Sequence, residues 1–268
     1  MSEVPDFSFS AKYMRRILLS AVAILVMGVN FGFAQGENTE KKRGMPDLPG
    51  DLFVEFGWNW INSTPSNMGT KWFSSRAFNV YYTYGIPIGK SKFSFNPGIG
   101  IGVENYSFSE DVTLKNNNGQ TEIVTIQSIT ETYTPVDKSP VPVKPFEGAS
   151  INKTNLQMTY LDIPLEFRYS SLGPNSRKGF KMALGGKVGY LIDSKTKIKY
   201  KKDGETKTVK YKEDFNLEKF RYGVYGRVGF GWINLYYYQN LSSMFESGKG
   251  PSETDATTSQ VGLSFDLF

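Results

Sequence analysis

Asp162 and Glu166 are the two side chains best placed for chemistry in this sequence. They lie on the same face of an alternating stretch, where two carboxylates can divide the work of a general acid and a general base. Little could assist them. The 268 residues include no His and no Cys. That excludes a Ser-His-Asp or Cys-His nucleophile, a His- or Cys-ligated zinc and a disulfide framework. A hard carboxylate site for Mg²⁺ or Ca²⁺ stays open, but no catalytic, cofactor-binding or metal-ligating residue is assigned. The formal net charge of +5 is mild and evenly spread, which argues against a nucleic-acid partner.

The second chemically suggestive stretch follows Ser194 and reads KTKIKYKKDGETKTVKYK. Asp203-Gly204 is a two-residue type I′ hairpin signal. A turn there pairs Lys202 with Glu205, Ile198 with Val209 and Lys199 with Thr208. One face of the hairpin then carries Lys195, Lys197, Lys199, Lys201, Lys210 and Lys212, and the other carries Ile198, Tyr200, Val209 and Tyr211. The cationic face suits lipopolysaccharide phosphates or an acidic partner, and the apolar face suits docking on a neighbouring loop or protein. The alternative is a solvated hairpin whose lysines blunt an exposed edge.

What positions these residues is a recurrent alternation of period 2, in segments separated by Gly, Pro, Asn and Ser clusters. Eight segments are read, at about 52–61, 76–86, 93–104, 157–169, 180–192, 221–230, 233–240 and 260–267. Phe93, Phe95, Ile99, Ile101 and Val103, for example, alternate with Ser94, Asn96, Gly98, Gly100, Gly102 and Glu104. The polar faces hold Glu55, Glu104, Asp162, Glu166 and Asp266 with Arg168, Lys181, Lys187, Arg221 and Arg227, so acids and bases nearly balance. A soluble sandwich would turn the charged face to water; a membrane barrel turns the apolar face to lipid and pairs the charges inside.

Three features favour the barrel. An export signal precedes the strands, and the last strand closes on Phe268. Connections also alternate in length, brief after strands two, four and six (about 87–92, 170–178 and 230–232), longer after the others, and about 45 residues at 108–153. Short periplasmic turns and long outer loops are the usual asymmetry of an outer-membrane barrel, and an even strand number leaves both termini periplasmic. Trp58, Trp60, Tyr84, Tyr169, Trp232 and Tyr237 sit near strand ends, where an aromatic girdle belongs. In the long loop, Asn116-Asn117-Asn118-Gly119 marks a hairpin, and Pro135, Pro140, Pro142 and Pro145 an extended flap. Eight strands leave an interior just wide enough for side chains to fill. The inward charges, Asp162 and Glu166 included, therefore read as a paired polar core rather than acid-base machinery, and a wide pore is not expected.

Two strands resemble known signatures. Gln260-Val261-Gly262-Leu263-Ser264-Phe265-Asp266-Leu267-Phe268 resembles the C-terminal β-signal through which the barrel-assembly machinery recognises its clients, carried by Gln260, Gly262, Phe265, Leu267 and Phe268. Tyr160-Leu161-Asp162-Ile163-Pro164-Leu165 resembles the YL-x-IPL strand of the porin-like, PorT-like outer-membrane barrels common in Bacteroidota. The resemblance implies an eight-stranded barrel of diverse roles; PorT itself is implied in protein secretion, a role that is not carried over. Pro164 cannot donate to a ladder, and a bulge is expected there.

At the start, Met14-Arg15-Arg16, the apolar run from Ile17 to Val29, and Gly32 and Ala34 form a signal-peptide pattern with cleavage expected after Ala34. Met14 is an alternative start, and the run is short of the ~20 residues a helical span needs. The expected organisation is a signal peptide at 1–34, a polar lead-in at 35–50 and an all-β, eight-stranded antiparallel up-and-down transmembrane β-barrel with long extracellular loops at 51–268. Expected partners are outer-membrane lipid and lipopolysaccharide, the barrel-assembly machinery during biogenesis and a protein at the outer loops. The functional expectation is a structural, binding or accessory component of the outer membrane. A narrow channel or transporter is the alternative, and a His-free enzyme a further one.

Overall fold

A computed structural model describes residues 50–133, 141–174, 176 and 178–267. The expected signal peptide, nearly all of the lead-in, Pro135, Pro140 and Phe268 lie outside the described residues. Eight strands form the barrel: β1 (Asp51–Asn62), β2 (Arg76–Thr83), β3 (Phe93–Ser107), β4 (Ser150–Ser170), β5 (Phe180–Lys202), β6 (Phe220–Phe230), β7 (Ile233–Asn240) and β8 (Thr257–Asp266). Each pairs antiparallel with its neighbour in sequence, and β8 returns to β1 from Phe53↔Asp266 to Asn62↔Thr257. The eight-stranded wall is therefore closed on itself, and the return strand of the lysine hairpin, Glu205–Tyr211, pairs with β5 alone and leaves its other side as an edge.

Burial along the strands is inverted relative to a soluble protein. Glu55, Asn59, Asn79, Asn96 and Glu104 are buried inside, whereas Phe56, Phe78, Ile99, Ile163, Phe167 at 60% and Leu184 at 70% exposure form an outward apolar surface. Apolar area of that extent requires a nonaqueous neighbour. On β3 the outward apolar positions run from Phe93 to Val103. At about 3.3 Å per residue and a tilt near 40°, they span about 25 Å, the height of an outer-membrane apolar band. Trp58 and Trp72 stack at 6.0 Å at the upper edge, and Trp232 meets Phe265 at 5.8 Å at the lower edge.

The connections split by end. Short turns cover 84–92, 171–179 and 231–232, and the long loops 63–75, 108–149, 203–219 and 241–256 all stand at the other end. These loops are folded. Met68, Val112, Leu114, Phe215, Leu217, Met244, Phe245 and Ala256 bury themselves against Ile61, Tyr106, Leu156 and Tyr160 of the barrel mouth, so all four loops contribute to one apolar core. Backbone bonds tie the loops together: Thr121 N–H donates to the Lys249 carbonyl at 2.9 Å, and the Thr121 hydroxyl to that of Phe215 at 2.6 Å. The hairpin 112–125 turns at Asn118-Gly119, both with positive φ.

Three expectations are corrected. β4 begins at Ser150 rather than 157, and β5 continues to Lys202 rather than ending at 192. Beyond the apolar band their outer face becomes polar, which removes the outward apolar repeat while the ladder continues. Pro164 produces no bulge. Its pairing with Lys187 is in register, and between β3 and β4 only Gly98 and Ile99 lose their partners, with no register shift. A bulge falls instead on β5, where Leu191 faces Tyr160 and Asp193 faces Thr159, leaving Ile192 as the extra residue. Ile192 is thus not the last outward residue of a regular strand.

Candidate functional site

The ten charged residues of the inward face are all buried, and the structure gathers them into two networks. In the upper one, Arg221 pairs with Glu104 and places Nη2 2.8 Å from Asp162 Oδ2. Its guanidinium lies 3.6 Å over the Tyr160 ring. Asp162 also accepts from the Tyr81 hydroxyl at 2.8 Å and sits 3.7 Å from Lys187 Nζ. Glu104 accepts from the Tyr106 hydroxyl at 2.7 Å and from Gln260 Nε2 at 2.5 Å.

In the lower network, Glu166 accepts from Arg168 Nε at 2.8 Å, from Tyr225 at 3.0 Å and from Arg227. Arg227 lies 3.7 Å from Glu55, Arg168 also pairs with Asp51, and Lys181 meets Asp266 at 2.7 Å. Tyr81, Tyr106 and Tyr225 complete these bonds, and Tyr160 lies beneath the Arg221 guanidinium. None of them was given a polar role from the sequence, although Tyr81, Tyr160 and Tyr225 occupy inward positions of the alternation and Tyr106 continues it past Glu104.

Asp162 and Glu166 therefore do not act on each other: each is held by its own arginine and tyrosine. The lumen space among Glu55, Tyr81, Lys187, Tyr225 and Tyr236 is about 20 Å³, room for about one water. Among the described residues, no group of three or more acidic side chains is placed to hold a metal ion.

The lysine hairpin stands above the apolar band. Asp203 and Gly204 turn it with φ of 52° and 82°, and Lys202↔Glu205, Lys199↔Thr208 and Ile198↔Val209 are register partners. Ile198 and Tyr200 are buried against Ile126, Ile129 and Phe146 of the long loop, so the apolar face docks within the chain. Lys195 and Lys212 donate to Asp193 at 2.8 and 2.5 Å, and Lys197 donates to Gln157 at 2.5 Å. Lys199, Lys201 and Lys210 are exposed. Burial pushes the Asp193 carboxyl up, but the hydrogen bonds and charges of Lys195 and Lys212 outweigh it and hold the group below its usual value. Partial burial, then the charges of Lys195 and Lys210, lower Lys197.

Of the residues of the β-signal pattern, Gln260, Gly262, Phe265 and Leu267 have places in the closed wall, and Phe268 lies outside the described residues. Gln260 is fully buried. Gly262 faces Gly57 across the closing seam, where a Cβ would fall 2.1 Å from the Phe56 carbonyl oxygen. The Phe265 ring meets Phe56 at 6.4 Å, and Leu267 donates its N–H to the Leu52 carbonyl at 2.8 Å.

No curated protein matches the chain. Among solved structures it is similar to Ail, the attachment invasion locus protein of Yersinia pestis, at 8% identity, covering 81% of this chain and 97% of that one with a TM-score of 0.32. It is also similar to a triple mutant of the Rhodopseudomonas blastica porin, at 11% identity, 81% and 99% coverage and a TM-score of 0.19. Scores this low say nothing about activity. The family model described as outer membrane protein beta-barrel domain matches residues 25–246, most of the closed barrel included. By that match, the chain belongs to the outer-membrane β-barrel protein family and is a protein of the outer membrane.

Proposed function

We propose that this protein is a sealed outer-membrane anchor that holds a folded cap outside the cell as a docking element for a surface or secretion complex. The observation carrying the reading is double closure. Paired charges fill the lumen, leaving a cavity of about 20 Å³, and a core drawn from all four loops covers the mouth. A protein built to pass solutes needs a continuous water path, whereas one built to bind needs ordered surface, because loops already folded lose little entropy on binding.

In this reading the loop end is extracellular and both termini are periplasmic. Residues 1–34 are removed after Ala34, and Gln260, Gly262, Phe265, Leu267 and Phe268 are read by the assembly machinery. The resemblance of Tyr160–Leu165 to the YL-x-IPL strand supports assigning the chain to the PorT-like branch of the family. No catalytic role is assigned to any residue.

The test has two arms. In planar bilayers the purified protein gives background conductance; steady channels above background overturn the sealed-anchor reading. In cells, a photo-cross-linker at the exposed cap positions Glu122 or Lys144 captures a defined partner, and one at Lys90 in a short turn does not. Capture from Lys90 alone, or from none of the three, overturns the docking reading.

A further inference from the structure

The lysine face is aimed by the bulge at Ile192. Below it, the even-numbered residues Met182, Leu184, Val188 and Tyr190 of β5 face outward; above it, Ile198 and Tyr200 are buried and the odd-numbered lysines take the outside. One extra residue exchanges the faces of a strand. Without it, four lysines would point into the cap core and Ile198 and Tyr200 would point out.

The lysines so aimed lie directly above the lipid-facing surface. On β4 the last outward apolar residue is Leu161, followed outward by Thr159, Gln157, Asn155 and Lys153. Lys195 is the register partner of Gln157, four residues beyond Leu161. At about 3.3 Å per residue and a tilt near 40°, that is about 10 Å above the apolar border, the level of lipid headgroups. The long stems let these ammonium groups reach down toward that level.

The arrangement also carries unrelieved repulsion. Lys153 is the direct partner of Lys199, and Lys197 that of Lys210. Like charges directly opposite each other destabilise a sheet. Asp193 takes Lys195 and Lys212, and among the described residues no carboxylate pairs with Lys153, Lys197, Lys199 or Lys210. Three adjacent strands, β4, β5 and the hairpin return 205–211, thus hold four uncompensated ammonium groups about 15–20 Å above the apolar border, from which their long stems reach down toward the phosphate of the outer leaflet.

We propose that Lys153, Lys195, Lys197, Lys199, Lys210 and Lys212 form a binding face for the phosphate groups of outer-leaflet lipopolysaccharide. The site rests on the reading that the loop end is extracellular. A lipid fits better than an acidic protein because the face continues the lipid-contacting wall of the barrel, so a headgroup lies against it whenever the protein is inserted.

The test compares the full-length protein with a variant carrying Lys153→Gln, Lys197→Gln, Lys199→Gln and Lys210→Gln, and with the Lys→Arg variant at the same four positions. Purified in mild detergent, each is titrated with phosphorylated lipid A, with the same lipid A after phosphatase treatment, and with inorganic pyrophosphate, and retained lipid is counted by native mass spectrometry. A basic residue near an anionic surface contributes about a fivefold factor. The Gln variant is therefore expected to lose phosphorylated lipid about a hundredfold after screening, and the Arg variant to keep it.

Equal retention of the dephosphorylated lipid, an unaffected Gln variant, pyrophosphate binding as tight as lipid, or loss of an acidic protein partner with unchanged lipid overturns the proposal. A heat-dependent gel shift in every variant shows that the barrel has folded. Protease access to the loop end in whole cells tests the orientation separately, so failure of lipid binding and failure of the orientation are told apart.

Discussion

Replacing Arg221 by Met tests whether the lumen is held by charge pairing. Arg221 is 2% exposed, is the sole ion-pair partner of Glu104 among the described residues, and shares Asp162 with Lys187. Methionine keeps an unbranched stem against the Tyr160 ring and offers a sulfur-aromatic contact, so the change isolates the charge. Asp162 retains Lys187 at 3.7 Å and the Tyr81 hydroxyl at 2.8 Å, which confines the damage to Glu104. Removing one member of a buried pair costs about 3–5 kcal/mol, because the other is left charged and uncompensated. A second change, Glu104→Gln, removes that charge and still accepts from Tyr106 and Gln260. Arg221→Met should therefore lose about 3–5 kcal/mol, and adding Glu104→Gln should recover about 2 kcal/mol or more of it. The assay is urea unfolding in lipid vesicles, followed by the fluorescence of the 4 tryptophans, three at the loop end and Trp232 at the turn end. A loss below about 1 kcal/mol in the single variant, or no recovery in the double, refutes the pairing argument.

Three further outcomes follow from the geometry. Gly262→Val should prevent closure of the β1–β8 seam and abolish the heat-resistant gel band, since a Cβ falls 2.4 Å from the Gly57 Cα; Gly226→Ala, whose Cβ stands 3.7 Å from the Ala183 carbonyl, should fold. Gly204→Val meets no atom within 4 Å but sits at φ +82°, so it should cost about 1–2 kcal/mol of hairpin protection in hydrogen exchange and leave the barrel transition unchanged. Asp193 is held below its usual value of 3.8, so its contribution is complete above that pH and is lost as pH falls through the lower folded value. Exchange protection across residues 195–212, corrected for intrinsic rates, should therefore loosen only in strong acid, and Asp193→Asn should abolish that response.

The barrel could be read from the sequence because each strand obeys a local rule. Small or charged residues alternate with large apolar ones, and the alternation needs no knowledge of the partner strand. The hairpin register was legible for the same reason, since Asp203-Gly204 fixes it from within. Less legible was anything set by a neighbour. The extra residue at Ile192 shows only against β4, whose register it breaks, while β4 itself keeps its even residues inward from Thr154 to Ser170. Pro164 suggested a bulge, yet the β3–β4 ladder only lapses, at Gly98–Pro164 and Ile99–Ile163, and resumes in the same register at Gly100 and Asp162. The cap was hidden for a different reason. Met68, Phe215, Met244 and Phe245 come from separate loops with no repeat, and their shared core exists only once the barrel brings those loops to one end.

That shared core constrains the order in which the molecule can be made. The barrel wall is stable with apolar groups outward in lipid, whereas the cap needs water around it and apolar groups within. The two halves therefore obey opposite solvents along the same strands. Because the core takes side chains from every long loop, it cannot consolidate while any one of them remains on the starting side of the bilayer. In the proposed orientation, with the loop end outside, the loops cross as open chain, and the cap locks only when the last has arrived, making cap closure a natural endpoint of insertion.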